Sequence, residues 1–207
     1  MIKKSLLING IGDNKETNKY YDKWSSTYDK TLSDWNYKAP TKASLILKSN
    51  IDFNPKNMLD LGCGTGLFGE KVLHYFPNIL IDGIDSSSKI LIESKRKNIY
   101  KKLICSSFDN KISFKKKYDI VSCIGAMTYT KDPKKLLLKV YKKTKVGRFF
   151  IFTHRVDLWK KQKFSKLLLD LSTKWKVVVV SRPILYLPNN PDFNKKIKIK
   201  VALLRKC

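Results

Sequence analysis

The stretch Met58-Leu59-Asp60-Leu61-Gly62-Cys63-Gly64-Thr65-Gly66 constrains this chain more than any other. An apolar run broken by one acid leads into glycines on alternate positions. Leu67, Phe68, Val72, Leu73 and Phe76 then recur at helical spacing, so the stretch reads as strand, tight turn and helix. Glycine admits positive φ and lets a ligand approach the main chain closely. The free amides that open the following helix face such a ligand.

Two ligand classes use a turn of this kind. Gly64-Thr65-Gly66-Leu67-Phe68-Gly69 matches the dinucleotide pattern G-x-G-x-x-G, with Asp85 at the spacing of a ribose-binding acid. The other class is S-adenosylmethionine (SAM). Asp60 favours the second, because a carboxylate at the turn repels a pyrophosphate and attracts a sulfonium and an ammonium. Asp60-Leu61-Gly62-Cys63-Gly64-Thr65-Gly66 resembles motif I of the class I SAM-dependent methyltransferases, Asp/Glu-x-Gly-x-Gly-x-Gly, without a departure.

At 207 residues the chain reads as one domain with a full core. Its four cysteines, Cys63, Cys105, Cys123 and Cys207, form no C-x-x-C pair and read as small buried thiols of a reducing, cytoplasmic setting. His74 and His154 are far apart, so no metal site is expected. No apolar run approaches a membrane span. The segment after Met1 has a short apolar run holding Asn9 and no small-residue cleavage site, which argues against a signal peptide. The net charge of +26 suits a nucleic-acid partner, but lysine supplies nearly all of it. Arginine, preferred for bidentate phosphate and base contacts, occurs only at Arg96, Arg148, Arg155, Arg182 and Arg205. The spread of Lys, Asn and Ile along the whole chain favours a compositional drift of the genome toward A and T, with a polyanion-binding surface as the alternative.

Residues 1–15 read as a loose leader, followed by a helical segment that carries Tyr20, Tyr21, Trp24 and Tyr28. Tyr21, Trp24 and Tyr28 share one helix face, either packing on the core or covering a ligand. Pro40 opens the next helix, over 41–49, and Trp35 and Tyr37 precede it in a loop where they are candidates, with Tyr21, for a substrate pocket. Tyr21-Asp22-Lys23-Trp24-Ser25-Ser26-Thr27-Tyr28-Asp29, followed by Tyr37-Lys38-Ala39-Pro40, resembles the opening segment of the small-molecule methyltransferase-like proteins named after the Williams–Beuren syndrome region. That resemblance implies a cap over SAM, with Tyr28 near the methionine end of the cofactor.

Beyond the turn, residues 79–84 read as a buried strand ending in Asp85, whose carboxylate can accept both hydroxyls of a ribose or can cap the helix over 86–98. Gly83-Ile84-Asp85-Ser86-Ser87 is similar to the family's Gly-x-Asp-x-Ser, which implies the ribose role. Residues 103–105 form a third short strand before Ser106 and Ser107. Relatives commonly place at Ser106 an aspartate that binds the adenine amino group. A serine hydroxyl makes that bond more weakly, and Asp109, three residues later, is expected to face solvent. Residues 118–124 form the fourth strand, with Gly125 and Tyr129 at its carboxyl end. No Asn-Pro-Pro-Tyr/Phe follows, which argues against methyltransferases of amide or adenine nitrogens. Asp132-Pro133 starts a helix, and Lys145-Val146-Gly147 stands where relatives carry a glycine turn. The fifth strand spans 148–153, with His154 just beyond it as a candidate general base or a structural histidine. One amphipathic helix over 157–173, a strand over 175–180, an irregular proline-rich loop over 183–194 and a last strand over 197–203 complete the chain.

The expected architecture is α/β: a doubly wound, seven-stranded, mostly parallel sheet of the Rossmann-like methyltransferase type, with one antiparallel strand near the C-terminus. Residues 1–50 are a cap segment and 51–207 a SAM-binding core. The expected function is methyl transfer from SAM to a small molecule. Methylation of RNA or another polyanion is one alternative, and a SAM-binding protein without transfer activity is another. The cofactor site implied by the resemblance comprises Tyr28, Asp60, Gly62, Cys63, Gly64, Gly66, Asp85, Ser86, Ser106, Ser107 and Gly125. His154 and Tyr129 are the catalytic candidates.

Overall fold

The computed structural model describes residues 14–110, 112–193 and 196–207. The leader expected over 1–15 therefore lies almost wholly outside the described residues. A helix α1 (Asn14–Trp24), a 3-10 turn (Ser25–Thr27), α2 (Tyr28–Asp34) and α3 (Ala39–Asn50) precede the sheet. The core then runs β1 (Asn57–Leu61), α4 (Leu67–Tyr75), β2 (Leu80–Asp85), α5 (Ser88–Arg96), β3 (Tyr100–Cys105), β4 (Tyr118–Cys123), α6 (Pro133–Lys143) and β5 (Thr144–Arg155). It closes with α7 (Val156–Lys161), α8 (Phe164–Asp170), β6 (Trp175–Val180), β7 (Ile184–Leu185) and β8 (Lys198–Lys206).

The sheet order is β3-β2-β1-β4-β5-β8-β6, with β7 against β8. Strands β3, β2, β1, β4 and β5 pair in parallel. The reversed strand is β8, antiparallel to β5, β6 and β7. The doubly wound sheet with its late antiparallel strand is as expected. The eighth strand is the two-residue β7, inside the loop expected over 183–194 to be irregular. The sequence order reverses between β1 and β4, and open α/β sheets bind ligands outside the carboxyl ends of their strands at such a reversal.

Two apolar layers hold the sheet. Leu59, Leu61, Val121, Phe150 and Phe152 face α6 and α8 through Leu136, Leu137, Phe164 and Leu168. Met58, Ile81, Ile120 and Ile151 face α3 and α4 through Ala43, Leu47, Phe68 and Val72. A third cluster joins Trp24 and Leu32 of the N-terminal segment to Leu187 and Phe193 of the late loop. Burying one large apolar side chain is worth about 1.5–3 kcal/mol, so the N-terminal segment is anchored across the whole chain length.

Three expectations change. Lys145-Val146-Gly147 is not a turn outside the strand: β5 runs through it, Gly147 takes φ +71°, and the β4–β5 register slips there. The helix expected over 157–173 is broken into α7 and α8 at Lys163, whose φ of +48° stops helical hydrogen bonding. Cys63 and Cys123 are buried, but Cys105 and Cys207 are exposed. No helix among the described residues is long and apolar enough to cross a membrane.

Candidate functional site

One cleft lies at the carboxyl ends of β1, β2, β3 and β4, with a smaller cavity beside it sharing Tyr28, Tyr37, Gly62, Gly64 and Ile124. Its floor is the glycine turn. Gly62 has φ +64°, and a Cβ there would stand 2.4 Å from the Cβ of Ala126. Gly64 has φ +56° and open space above it, reaching the Tyr28 ring at 3.9 Å. Gly66 lies in neither cavity; it caps α4 and packs against Ile99 and Tyr100.

Strand order sets out the walls. From β2 and β3 come Asp85, Ser86, Ile90, Ser107, Phe108 and Asp109. Asp85 is half-buried and already spans the turn: Oδ2 accepts from the Gly64 N–H at 2.9 Å and Oδ1 from the Ser87 N–H at 3.0 Å. Ser87 caps α5 by accepting from the Ile90 N–H, so the helix cap does not depend on the Asp85 side chain alone. Burial raises the Asp85 pKa, although those backbone donors oppose the shift. Ser106 does not line the cleft. Its neighbour Ser107 does, and so does Asp109, which faces the cleft rather than open solvent. Asp109 accepts from the Thr130 hydroxyl at 2.6 Å and the Lys131 N–H at 3.2 Å.

Asp60 and Cys63 line the smaller cavity. Asp60 is 1% exposed, deeper than a carboxylate at the mouth of the turn. It accepts from Ser122 Oγ at 2.7 Å and from Tyr100 Oη at 2.9 Å. Burial still pushes its carboxyl up to about 6. Burial also pushes the Cys63 thiol well up, so it remains a neutral wall.

The roof comes from the N-terminal segment. Tyr21, Trp24, Tyr28, Leu32 and Tyr37 line the cleft, and the Tyr37 hydroxyl lies over Gly125, where a Cβ would meet it at 2.5 Å. Trp35 is set back behind Trp24, ring centroids 5.3 Å apart, and does not line the cleft. The segment is held to the core by polar bonds. Ser86 donates to Asn18 Oδ1 at 2.6 Å, Ser87 to Asp22 Oδ1 at 2.5 Å and Thr65 to Asp29 Oδ1 at 2.5 Å. The acid after each tyrosine in Tyr21-Asp22 and Tyr28-Asp29 is thus a latch, a role visible in the pattern but not assigned from it.

At the far end stand Gly125, Ala126 and Tyr129 after β4, with Tyr186 and Leu187 from the late loop. The Tyr21 and Tyr129 hydroxyls share a hydrogen bond of 2.8 Å. Burial raises the pKa of Tyr129, which keeps it a phenol at neutral pH and makes it a poor base. His154 is fully buried and turned from the cleft, against Phe164 and Trp159, with Nε2 on Gln162 Oε1 at 2.9 Å. Burial lowers its pKa. His154 is therefore not placed to remove an acceptor proton, whereas Tyr129 lines the cleft but stands there as a phenol. Sequence reasoning missed Asn18, Ile90, Phe108, Tyr186 and Leu187 as lining residues. Phe108 adjoined a named serine, but nothing local marks Tyr186.

The comparisons with known proteins bear on this geometry. Residues 59–147 match a family model described as a methyltransferase domain. A malonyl-[acyl-carrier protein] O-methyltransferase of Ilyobacter polytropus is 29% identical over 143 residues, covering 68% of this chain and 54% of that protein. A second such protein of Ilyobacter polytropus is 28% identical over 63% of this chain and 48% of its own length, so the chain spans about half of the curated relatives it matches. The plantazolicin methyltransferase BpumL, solved with S-adenosylhomocysteine (SAH), superposes with a TM-score of 0.67 at 18% identity over 100% of this chain and 96% of that one. The N-methyltransferase NodS of Bradyrhizobium japonicum gives 0.62 at 15% identity over 83% of this chain and 96% of that one. The chain has the methyltransferase fold.

Proposed function

We propose that this chain transfers a methyl group from S-adenosylmethionine to a small-molecule acceptor. The single observation that carries the reading is the cleft itself. A positive-φ glycine floor, with the Gly64 position left open, lies beside the Asp85 carboxylate and under an aromatic roof. The matched methyltransferase domain supports it, as do relatives named as methyltransferases.

The donor set fits the cofactor. Asp85 offers oxygens to a ribose diol, Ile90 and Phe108 offer apolar flanks to a base, and Asp60 lies where a cationic end is favoured. When bound, SAM supplies a methyl group made electrophilic by its sulfonium. The chain's share is alignment and exclusion of water. Tyr28 and Tyr37 close over Gly64 and Gly125, and the Asn18, Asp22 and Asp29 latches hold that roof down. Of the N-terminal fifty residues, the described ones, 14–50, act as the cap, and the core from residue 51 onward holds the cofactor. The order Tyr-Asp-x-Trp…Tyr-Asp…Ala-Pro in that cap supports kinship with the Williams–Beuren-region proteins. Four free cysteines support a cytoplasmic setting.

Calorimetric titration with SAM, SAH and NAD tests the reading. Both adenosyl ligands bind and NAD does not; binding of NAD alone overturns it. Asp85→Ala weakens SAH by about 1–3 kcal/mol, or roughly 5- to 150-fold, through lost hydrogen bonds to a charged group. Unchanged affinity leaves Asp85 as a brace between the turn and α5.

A further inference from the structure

We propose that a cavity at the amino end of the parallel strands, built on Arg148 and Arg205, binds a small phosphorylated sugar. The inference is independent of the methyl-transfer reading, since the cofactor cleft lies at the opposite end of the sheet.

Arginine is scarce in this chain, five of 43 basic residues, and two of those five line one cavity of about 270 Å³. The fold brings them together. The β4–β5 register jumps from Tyr118–Thr144 to Ile120–Phe149, so β5 carries extra chain just before Arg148. Strand β8 runs antiparallel beside it and sets Arg205 opposite Phe149. Each side chain is anchored from within. The Arg148 guanidinium lies 3.7 Å over the Phe53 ring, with Nε 3.6 Å from Asp119 Oδ1, which Lys145 already meets at 2.9 Å. Arg205 Nε donates to the Gly147 carbonyl at 3.1 Å. Among the described residues, none pairs with the terminal nitrogens of either arginine. Anchored guanidinium groups with terminal donors to spare suit a phosphate, which they meet with paired N–H bonds where lysine offers a point charge.

The rest of the lining is not made for a bare anion. Ser49 and Asn50 end α3, whose last carbonyls have no helical partner, and Asp52 adds an exposed carboxylate. Asn50 Nδ2 donates to the Ile46 carbonyl at 2.9 Å, which leaves the Asn50 side-chain oxygen to accept. A helix end of this sense carries partial negative charge and repels an isolated phosphate. Hydroxyl groups donate to the same acceptors. A phosphate on the arginines with a polyol against Ser49, Asn50 and Asp52 therefore satisfies both halves. The volume falls just below the usual range of ligand pockets, about 300–1,000 Å³, which keeps the ligand small.

The test is calorimetric titration of the full chain with ribose 5-phosphate, inorganic phosphate, ribose and oligothymidylate, each with and without SAH. Ribose 5-phosphate binds more tightly than inorganic phosphate, ribose alone does not bind, and SAH does not compete. Arg205→Lys keeps the charge at an exposed position and still weakens ribose 5-phosphate about tenfold, through lost hydrogen bonds to a charged group. Arg148→Lys does the same. Asp52→Ala weakens ribose 5-phosphate but not inorganic phosphate. Unchanged affinity in a folded Arg205→Lys chain overturns the proposal, because charge alone then suffices. So does failure of ribose 5-phosphate to bind, its displacement by SAH, which places it in the cofactor cleft, or binding of oligothymidylate alone. Failure of SAH to bind, with ribose 5-phosphate bound and sensitive to Arg205→Lys, overturns the methyl-transfer reading and supports this one.

Discussion

The two ends of the cleft are built by different means. The end at β1–β2 is made from backbone: glycines at positive φ, amides aimed at Asp85, and carboxylates carried on strand ends. The end at β4 is made from side chains drawn from three distant places, Tyr21 and Trp24, Tyr129, and Tyr186. The first holds acids whose burial is unfavourable without a ligand, and the second holds neutral phenols. A site that must grip one cofactor can be set in the main chain. A site that must suit a particular acceptor is more easily changed when it rests on side chains.

The largest break in that contrast comes from the floor. Gly64→Val puts a β-branched side chain at φ +56° and into the space above the turn. SAH affinity is expected to fall by more than about 100-fold, consistent with steric exclusion plus backbone strain. Gly64→Ala separates the causes, because its Cβ meets Tyr28 only at ordinary contact distance, 3.9 Å. A folded Gly64→Ala chain with full affinity would show that the ligand does not approach the turn.

Asp60 gives the next effect, and its sign differs between stability and binding. Its folded pKa, pushed up to about 6, lies above the ordinary 3.8. The folded state therefore holds the proton more tightly, and stability falls as pH rises between those values. Asp60→Asn removes that penalty and stabilises the ligand-free chain by up to about 3 kcal/mol above pH 7, with little gain below pH 4. Thermal melts across pH check this, with SAH affinity expected to fall in the same variant. Equal stabilisation at both pH extremes would mean that packing, not charge, sets the effect.

The same contrast explains what could be read from the sequence. The turn, Asp85 and the parallel strands were legible because each is a local pattern: alternating glycines, an acid ending an apolar run, and apolar strands set between helices. Tyr186 was not, since its place in the cleft depends on Leu187 and Phe193 packing against Trp24 and Leu32, far away in the chain. His154 looked like a base because a strand end near the cleft is where bases sit. Side-chain direction alternates along a strand, and that alternation turns it toward Phe164. Ser106 and Ser107, just past the end of β3, also divide, one out of the cleft and one in. Lys163 stops a helix that periodicity carried through, because one left-handed residue leaves no mark in an apolar pattern.

The smallest effect tests the roof as a moving part. Asp22 accepts from the Ser87 hydroxyl at 2.5 Å and does not line the cleft. Asp22→Ala removes that latch while Asn18–Ser86 and Asp29–Thr65 remain. A single partly exposed hydrogen bond is worth about 1 kcal/mol, which corresponds to about a fivefold change in a rate or equilibrium constant. If the segment closes after the ligand has entered, the loss falls on release: stopped-flow measurement shows SAH dissociating about fivefold faster, with association little changed. If association slows instead, α1 guides the ligand in rather than covering it, and the roof belongs with the floor as fixed structure. A faster release would place the roof with the acceptor end, among the side-chain elements that can move while the glycine floor stays set.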